Sequence, residues 1–184
     1  MSIQRVNAIS NRLSLRPSQR DSLEILARVC EIVSLEKDGD TDQTLETLKT
    51  EFPTLEDFER DFPSLCFAIA TGVGKTRLMG ALISYLYLSE GIRHFFVLAP
   101  NLTIYTKLIA DFTPNTPKYV FQGISEFAVN PSRIVTGDNY QDGCGIRGDG
   151  YLPGIEWEQD VHVNIFNISK INSEVRGEDG VRLK

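Results

Sequence analysis

The residues of this chain best suited to chemistry are Thr71, Gly72, Val73, Gly74, Lys75 and Thr76, which follow Ile69 and Ala70 and lead into a segment with helical spacing. Glycine at 72 and 74 lets the backbone turn with no Cβ in the way. Successive N–H groups then point at anionic oxygens near the positive end of the next helix. At this spacing the Lys75 ammonium reaches the β- and γ-phosphates of a nucleoside triphosphate, and the Thr76 hydroxyl ligates the Mg²⁺ that bridges them. Arg77 adds a positive charge one position further on. The general P-loop pattern has glycine where this chain has Ile69, so the turn is a variant form of a phosphate-binding loop.

Such a turn needs a strand to deliver the chain and a helix to receive it. Residues 65–70 are continuously apolar and predict a strand buried on both faces, as parallel sheets require. Residues 75–88 carry Leu78, Met79, Leu82 and Leu86 at helical spacing, with Gly91 as terminator. Residues 95–99 predict the next buried strand. Residues 102–112 predict a helix with Leu108 and Phe112 on its apolar side, ended by Pro114 and Pro117. Upstream, residues 18–35 read as an amphipathic helix that starts at Pro17 and repeats Leu23, Leu26, Ala27 and Cys30. Residues 41–52 and 54–62 predict two short helices punctuated by Pro53 and Pro63. Residues 119–122, 133–136 and 161–168 predict strands, and residues 137–154, with six glycines, a long loop or hairpin tip. The alternation predicts an α/β fold with a doubly wound, mainly parallel sheet.

At 184 residues with 41% hydrophobic and 24% charged residues, the composition is that of one globular domain. No apolar run approaches a membrane span and the first residues lack a signal-peptide pattern, so the cytoplasm is the expected compartment and no membrane partner is expected. Cys30, Cys66 and Cys144 have no paired spacing, which points to neither a disulfide framework nor a zinc site; Cys66 is expected to pack as a small hydrophobe. The net charge of −6 argues against a nucleic-acid partner only until its distribution is considered. Ten acidic and three basic residues between 36 and 61 give that segment −7, which leaves +1 on the rest. The acidity belongs to one insertion that can face away from a polyanion.

The stretch from Ile69 to Thr76 resembles the first motif of superfamily 2 helicases and translocases, in which the leading glycine is commonly absent. Leu15-Arg16-Pro17-Ser18-Gln19 at a helix entrance resembles the Leu-Arg-Pro-x-Gln that many of these motors carry upstream of the P-loop. The resemblance places Arg16 at the nucleotide and makes Gln19 the reader of adenine. A carboxamide donates to N7 and accepts from the N6 amino group, a pairing that guanine does not offer. Val97-Leu98-Ala99-Pro100-Asn101-Leu102-Thr103 resembles the motif that touches the nucleic-acid backbone after the second strand, which implicates Pro100, Asn101 and Thr103. The segment from Val163 to Lys170 is similar to a later strand and polar turn of the same domain, where Ser169 or Lys170 contacts nucleic acid.

Taken together, the chain from about residue 15 onward resembles the N-terminal part of the motor (Res) subunit of type III restriction enzymes, or a closely related restriction-type superfamily 2 protein. That resemblance implies ATP and Mg²⁺ as cofactors and DNA as partner. It also implies a methyltransferase/specificity subunit beside the intact enzyme, and endonuclease activity. It makes residues 1–184 the N-terminal part of a RecA-like P-loop NTPase motor domain, with residues 36–62 an acidic helical insertion and 137–154 a Gly-rich loop. Such motors place an Asp-Glu pair on a later strand, where Asp holds Mg²⁺ and Glu orients water. No Asp-Glu dipeptide occurs in this sequence, so the domain reads as incomplete and little hydrolysis is expected from it alone. The alternative is a non-motor P-loop module that senses nucleotide and engages a protein through its acidic segment. A nucleotide kinase would need further phosphate-binding arginines, a need that Arg77 alone does not meet.

Overall fold

The computed structural model describes residues 2–34, 39–140 and 160–169. The chain divides into two compact units, Met1–Glu90 and Gly91–Lys184.

In the first unit, α1 (Ser2–Arg12), α2 (Pro17–Ile32) and α4 (Lys75–Glu90) pack against one another. Val6, Ile9, Leu23, Leu26, Leu78 and Ala81 are all buried there. Each of the Val, Ile and Leu side chains contributes roughly 1.5–3 kcal/mol by leaving water. The turn from α1 to α2 is set by local chemistry. Ser14 adopts a left-handed φ of 49° and the Leu15 N–H reaches back to the Ser10 carbonyl at 2.9 Å, which closes α1. Pro17 then occupies the first position of α2, where its fixed φ suits a helix and its missing N–H costs nothing. The helix α1 has no counterpart in the sequence reading, because Val6 and Ile9 give it too thin an apolar stripe.

The acidic segment is anchored. Helix α3 (Thr41–Glu51) is capped by Asp40, whose carboxylate accepts from the N–H groups of Asp42 and Gln43 at 2.9 and 3.1 Å. Its Leu48 joins Val29 and Phe58 in a small buried cluster flanked by Ile32, Leu45 and Phe52. Arg28 bridges Glu51 and Glu31 on the surface. Residues 54–62, expected as a second helix, are irregular. The Asp57 side chain accepts from the Glu59 N–H at 2.7 Å and Glu59 takes a left-handed φ of 53°, so a local side-chain turn displaces the helical pattern. Residues 35–38, where α2 leads into this segment, lie outside the described residues.

Residues 65–70 also differ from expectation. They form no regular strand, Leu65 is 44% exposed, and Cys66 is exposed rather than packed. An apolar run becomes a strand only when neighbouring strands satisfy its N–H and C=O groups, and no ladder forms there among the described residues.

The second unit holds β1 (His94–Ala99), α5 (Leu102–Phe112), α6 (Ser125–Val129), β2 (Arg133–Thr136) and β3 (His162–Asn167). The strands form a parallel sheet in the order β1-β3-β2, with Ala99 opposite Asn167 and Arg133 opposite His162. This is an α/β arrangement with β3 at its centre. All six residues of β3 are buried, whereas β1 is covered on one face only, with Phe96 and Leu98 about half exposed. The strand expected at 95–99 is thus present but not buried on both sides. Residues 119–122, expected as a strand, form consecutive turns. Val120 N–H donates to the Asp111 carbonyl, and Phe121 stacks on Phe127 at 3.9 Å and meets Phe112 edge-on. Their apolar character fills a core instead of a ladder. The connection from β2 to β3 is fastened at both ends. Asn139 bonds the Thr136 N–H and the Ile134 carbonyl, and Asp160 holds Arg133 and Asn130. Residues 141–154 of the Gly-rich segment, and Cys144 with them, lie outside the described residues.

Candidate nucleotide-binding site

The turn at residues 72–74 has the conformation that its glycines permit. Gly72 and Gly74 have φ of +81° and +97°, values that a side chain strains. Helix α4 starts at Lys75, and Gly74 gives its carbonyl to the Leu78 N–H at 3.1 Å, the first bond of the helical ladder. Lys75 is exposed on the first helical turn and Thr76 half-buried beside it, with Thr71 exposed before the turn.

The feature that organises the site is Gln19, 54 residues upstream and 1% exposed. Its Oε1 accepts from the Arg16 N–H at 2.8 Å, which satisfies the entrance of α2. Its Nε2 donates to the carbonyls of Val73 and Gly74 at 3.0 and 2.8 Å. Two carbonyls facing the nitrogen and an N–H facing the oxygen fix the orientation of the amide. Arg16 adds a longer contact from Nη1 to the Gly72 carbonyl at 3.4 Å.

Three successive carbonyls are therefore held toward α2. In a trans peptide the carbonyl and the following N–H point in opposite directions, so the N–H groups of Val73, Gly74 and Lys75 turn away from Gln19. That row of donors at a helix N-terminus is an anion cradle. A Cβ at position 74 would lie 2.8 Å from Gln19 Nε2, so the close approach of the two segments requires glycine there.

A cavity of about 240 Å³ adjoins the cradle, lined by Ser14, Arg16, Gln19, the 72–74 turn and Arg77. Arg77 is tied at Nη1 to the Leu13 carbonyl at 3.0 Å, which joins α4 to the end of α1. A larger cleft of about 570 Å³ involves α1, α2 and α4 but carries Glu31 and Glu90 with Arg5 and no glycine turn, a lining unsuited to a triphosphate. The Cys30 thiol is pushed up to about 11 by burial and by the nearby Glu90 carboxylate, which makes it unreactive.

The expected nucleic-acid contacts converge in part. Register places the end of β1 beside the end of β3, which brings the 100–103 segment and Ser169 to the same carboxyl edge of the sheet. Pro100, Asn101 and Thr103 are exposed. The Asn101 side chain caps α5 by accepting from the Ile104 N–H at 2.9 Å, so its oxygen serves the helix. Ser169 turns both its N–H and its hydroxyl onto Asn167 Oδ1, and Lys170 lies outside the described residues. Sequence reasoning passed over Asn167, whose only signal was an amide ending an apolar strand.

An α/β chain whose glycine turn presents a row of N–H groups at a helix start belongs, in class, with the P-loop NTPases. Residues 12–182 match the type III restriction enzyme, res subunit family, and the chain belongs to that family. It is 29% identical over 140 residues to the probable type III restriction-modification enzyme HindVIP Res subunit of Haemophilus influenzae, an alignment covering 67% of this chain and 27% of that protein. The chain thus spans about a quarter of the length of the curated relative it matches. No solved structure matches it.

Proposed function

We propose that this chain is the ATP-binding part of a RecA-like motor domain with a doubly wound sheet, and that the intact protein hydrolyses ATP to move along duplex DNA during restriction. The intact protein would act with a methyltransferase partner and with endonuclease activity of its own. The observation that carries this reading is the pinning of the Gly72, Val73 and Gly74 carbonyls by Arg16 and Gln19, which leaves the N–H groups of residues 73–75 free to face phosphate. Lys75 neutralises β- and γ-phosphate charge, and the Thr76 hydroxyl is the side chain on α4 suited to hold Mg²⁺. When bound, Mg²⁺ would supply charge neutralisation for the phosphates. Gln19 confers adenine preference, and to do so its carboxamide must exchange one P-loop bond for the base edge, because both amide hydrogens are committed here. No helix of the described residues is long and apolar enough to cross a membrane, and the cytoplasm is the compartment proposed for this work.

The test is a titration of the chain with Mg²⁺-ATP and Mg²⁺-GTP beside Lys75→Ala and Gln19→Ala. ATP is expected to bind in preference to GTP. Lys75→Ala should lose both, and Gln19→Ala should weaken both and erase the preference. Equal binding of the two nucleotides by the wild-type chain would shift support to a non-motor sensing module.

A further inference from the structure

The chain has only two histidines, His94 and His162, and the fold sets them side by side although they lie far apart in the sequence. They open the paired strands β1 and β3, directly opposite each other in the parallel register. The His162 N–H donates to the Arg93 carbonyl at 2.7 Å, which fixes that register at the first residue. Residues paired across parallel strands share a face of the sheet, so both imidazoles project to the same side. It is the side of Phe96 and Phe166, whose rings stack at 5.3 Å further along the same two strands. The histidine rings lie 5.1 Å apart between centroids and are tilted by 32°. His94 is exposed and His162 buried, so the pair has one ring set in the fold and one open to solvent.

That spacing suits a shared metal ion. A tetrahedral zinc ion with Zn–N bonds of about 2.0–2.1 Å holds two imidazole ring centres about 5 Å apart. The backbone ladder already fixes the two side chains on facing residues, so little freedom is lost when both bind one ion. The local charges do not repel a cation. Arg133 pairs with His162 from the far strand, but its guanidinium is neutralised by Asp160. The same carboxylate lies close enough to His162 to interact with it electrostatically. Among the described residues no third histidine, cysteine or carboxylate forms a metal-holding group with the two rings, which leaves the other positions of the ion to water.

We propose that His94 and His162 form a two-imidazole site for a divalent transition-metal ion such as zinc, which ties the starts of β1 and β3 together. Imidazole nitrogen favours Zn²⁺, Ni²⁺ and Cu²⁺ over Mg²⁺, whose ligands are oxygens, so the site differs in chemistry from one served by Thr76. It lies at the amino edge of the sheet and stands independently of the nucleotide and DNA readings. Residue spacing gives no sign of it, because the two ligands meet only through strand register. The pair exists only in the folded chain, so a bound ion stabilises the fold.

The experiment adds Zn²⁺ alone to the whole chain labelled with ¹⁵N at histidine, with His94→Ala to assign the two rings. Both rings are expected to shift together and to saturate at one equivalent of Zn²⁺, with no response to Mg²⁺. In His94→Ala and His94→Gln the Zn²⁺ affinity read at the His162 ring should fall at least about tenfold, since losing even a residue that only orients a ligand costs that much. The rise in melting temperature that Zn²⁺ gives the wild type should disappear with it. A shift of the His94 ring while the His162 ring stays still would mean a surface imidazole holding an adventitious ion only, and would overturn the proposal. Two rings that stay still while Zn²⁺ binds elsewhere would also overturn it and leave the pair as packed aromatic rings. Unchanged affinity at the His162 ring in both variants would do the same. Should a variant not fold, the wild-type ring shifts decide.

Discussion

Gly72 and Gly74 share a backbone conformation but not a neighbourhood, and the difference yields a test of how the site is built. A Cβ at 72 meets nothing within 4 Å, so Gly72→Ala suffers only from its φ of +81°. A Cβ at 74 meets Gln19 Nε2, which is buried and committed to two carbonyls, so Gly74→Ala suffers strain and also dislodges the amide that orients the loop. Left-handed strain costs about 1–2 kcal/mol at either position. Melting should show Gly74→Ala the less stable of the two, and Mg²⁺-ATP titration should show at least roughly tenfold weaker binding by Gly74→Ala than by Gly72→Ala. Equal affinities would mean that Gln19 does not set the loop. At this scale the turn at both glycines is legible in the sequence, because a strained turn leading into a helix calls for residues without a Cβ. The pinning role of Gln19 is not, since it depends on carbonyl directions in a segment 54 residues away.

Elements are legible where their own chemistry closes them. The helix at 102–112 follows from the Asn101 cap and its apolar stripe, and the strands at 133–136 and 162–167 from β-branched residues that find partners in the sheet. Residues 65–70 and 119–122 carry similar apolarity but differ in what surrounds them, which no local pattern encodes. The clip that holds β2 to the start of β3 is a further case. Burial pushes the Asp160 carboxyl up, but hydrogen bonds from Asn130 and Arg133 outweigh it and hold the group below its ordinary value of 3.8. A carboxyl depressed in the folded state stabilises the fold above its unfolded pKa, and that contribution disappears as pH falls through the folded value. Melting temperatures of wild type and Asp160→Asn should therefore differ most above about pH 5 and converge toward pH 2. A constant difference across that range would show that the charge on Asp160 is irrelevant to the clip.

For the whole molecule, charge is distributed so that a net −6 is compatible with a polyanion partner. The acidic residues cluster between 36 and 61, and helix α3 within that segment is docked on α2 through Leu48 and Val29. The chain belongs to the res subunit family and spans about a quarter of the length of a curated relative. In the proposed reading the 72–75 turn, Lys75 and Thr76 would bind and polarise phosphate, but hydrolysis also needs a positioned carboxylate to orient water, and the sequence contains no Asp-Glu pair. Removal of such a general base lowers turnover by about 10²–10⁴-fold. The chain alone is thus expected to bind Mg²⁺-ATP while releasing phosphate at a rate that neither Lys75→Ala nor added duplex changes. Steady-state phosphate release measured on the wild type, Lys75→Ala and a duplex-supplemented sample checks this. A turnover that duplex stimulates and Lys75→Ala abolishes would place a complete catalytic centre within these 184 residues, and would require a carboxylate outside the expected dipeptide to act as the base.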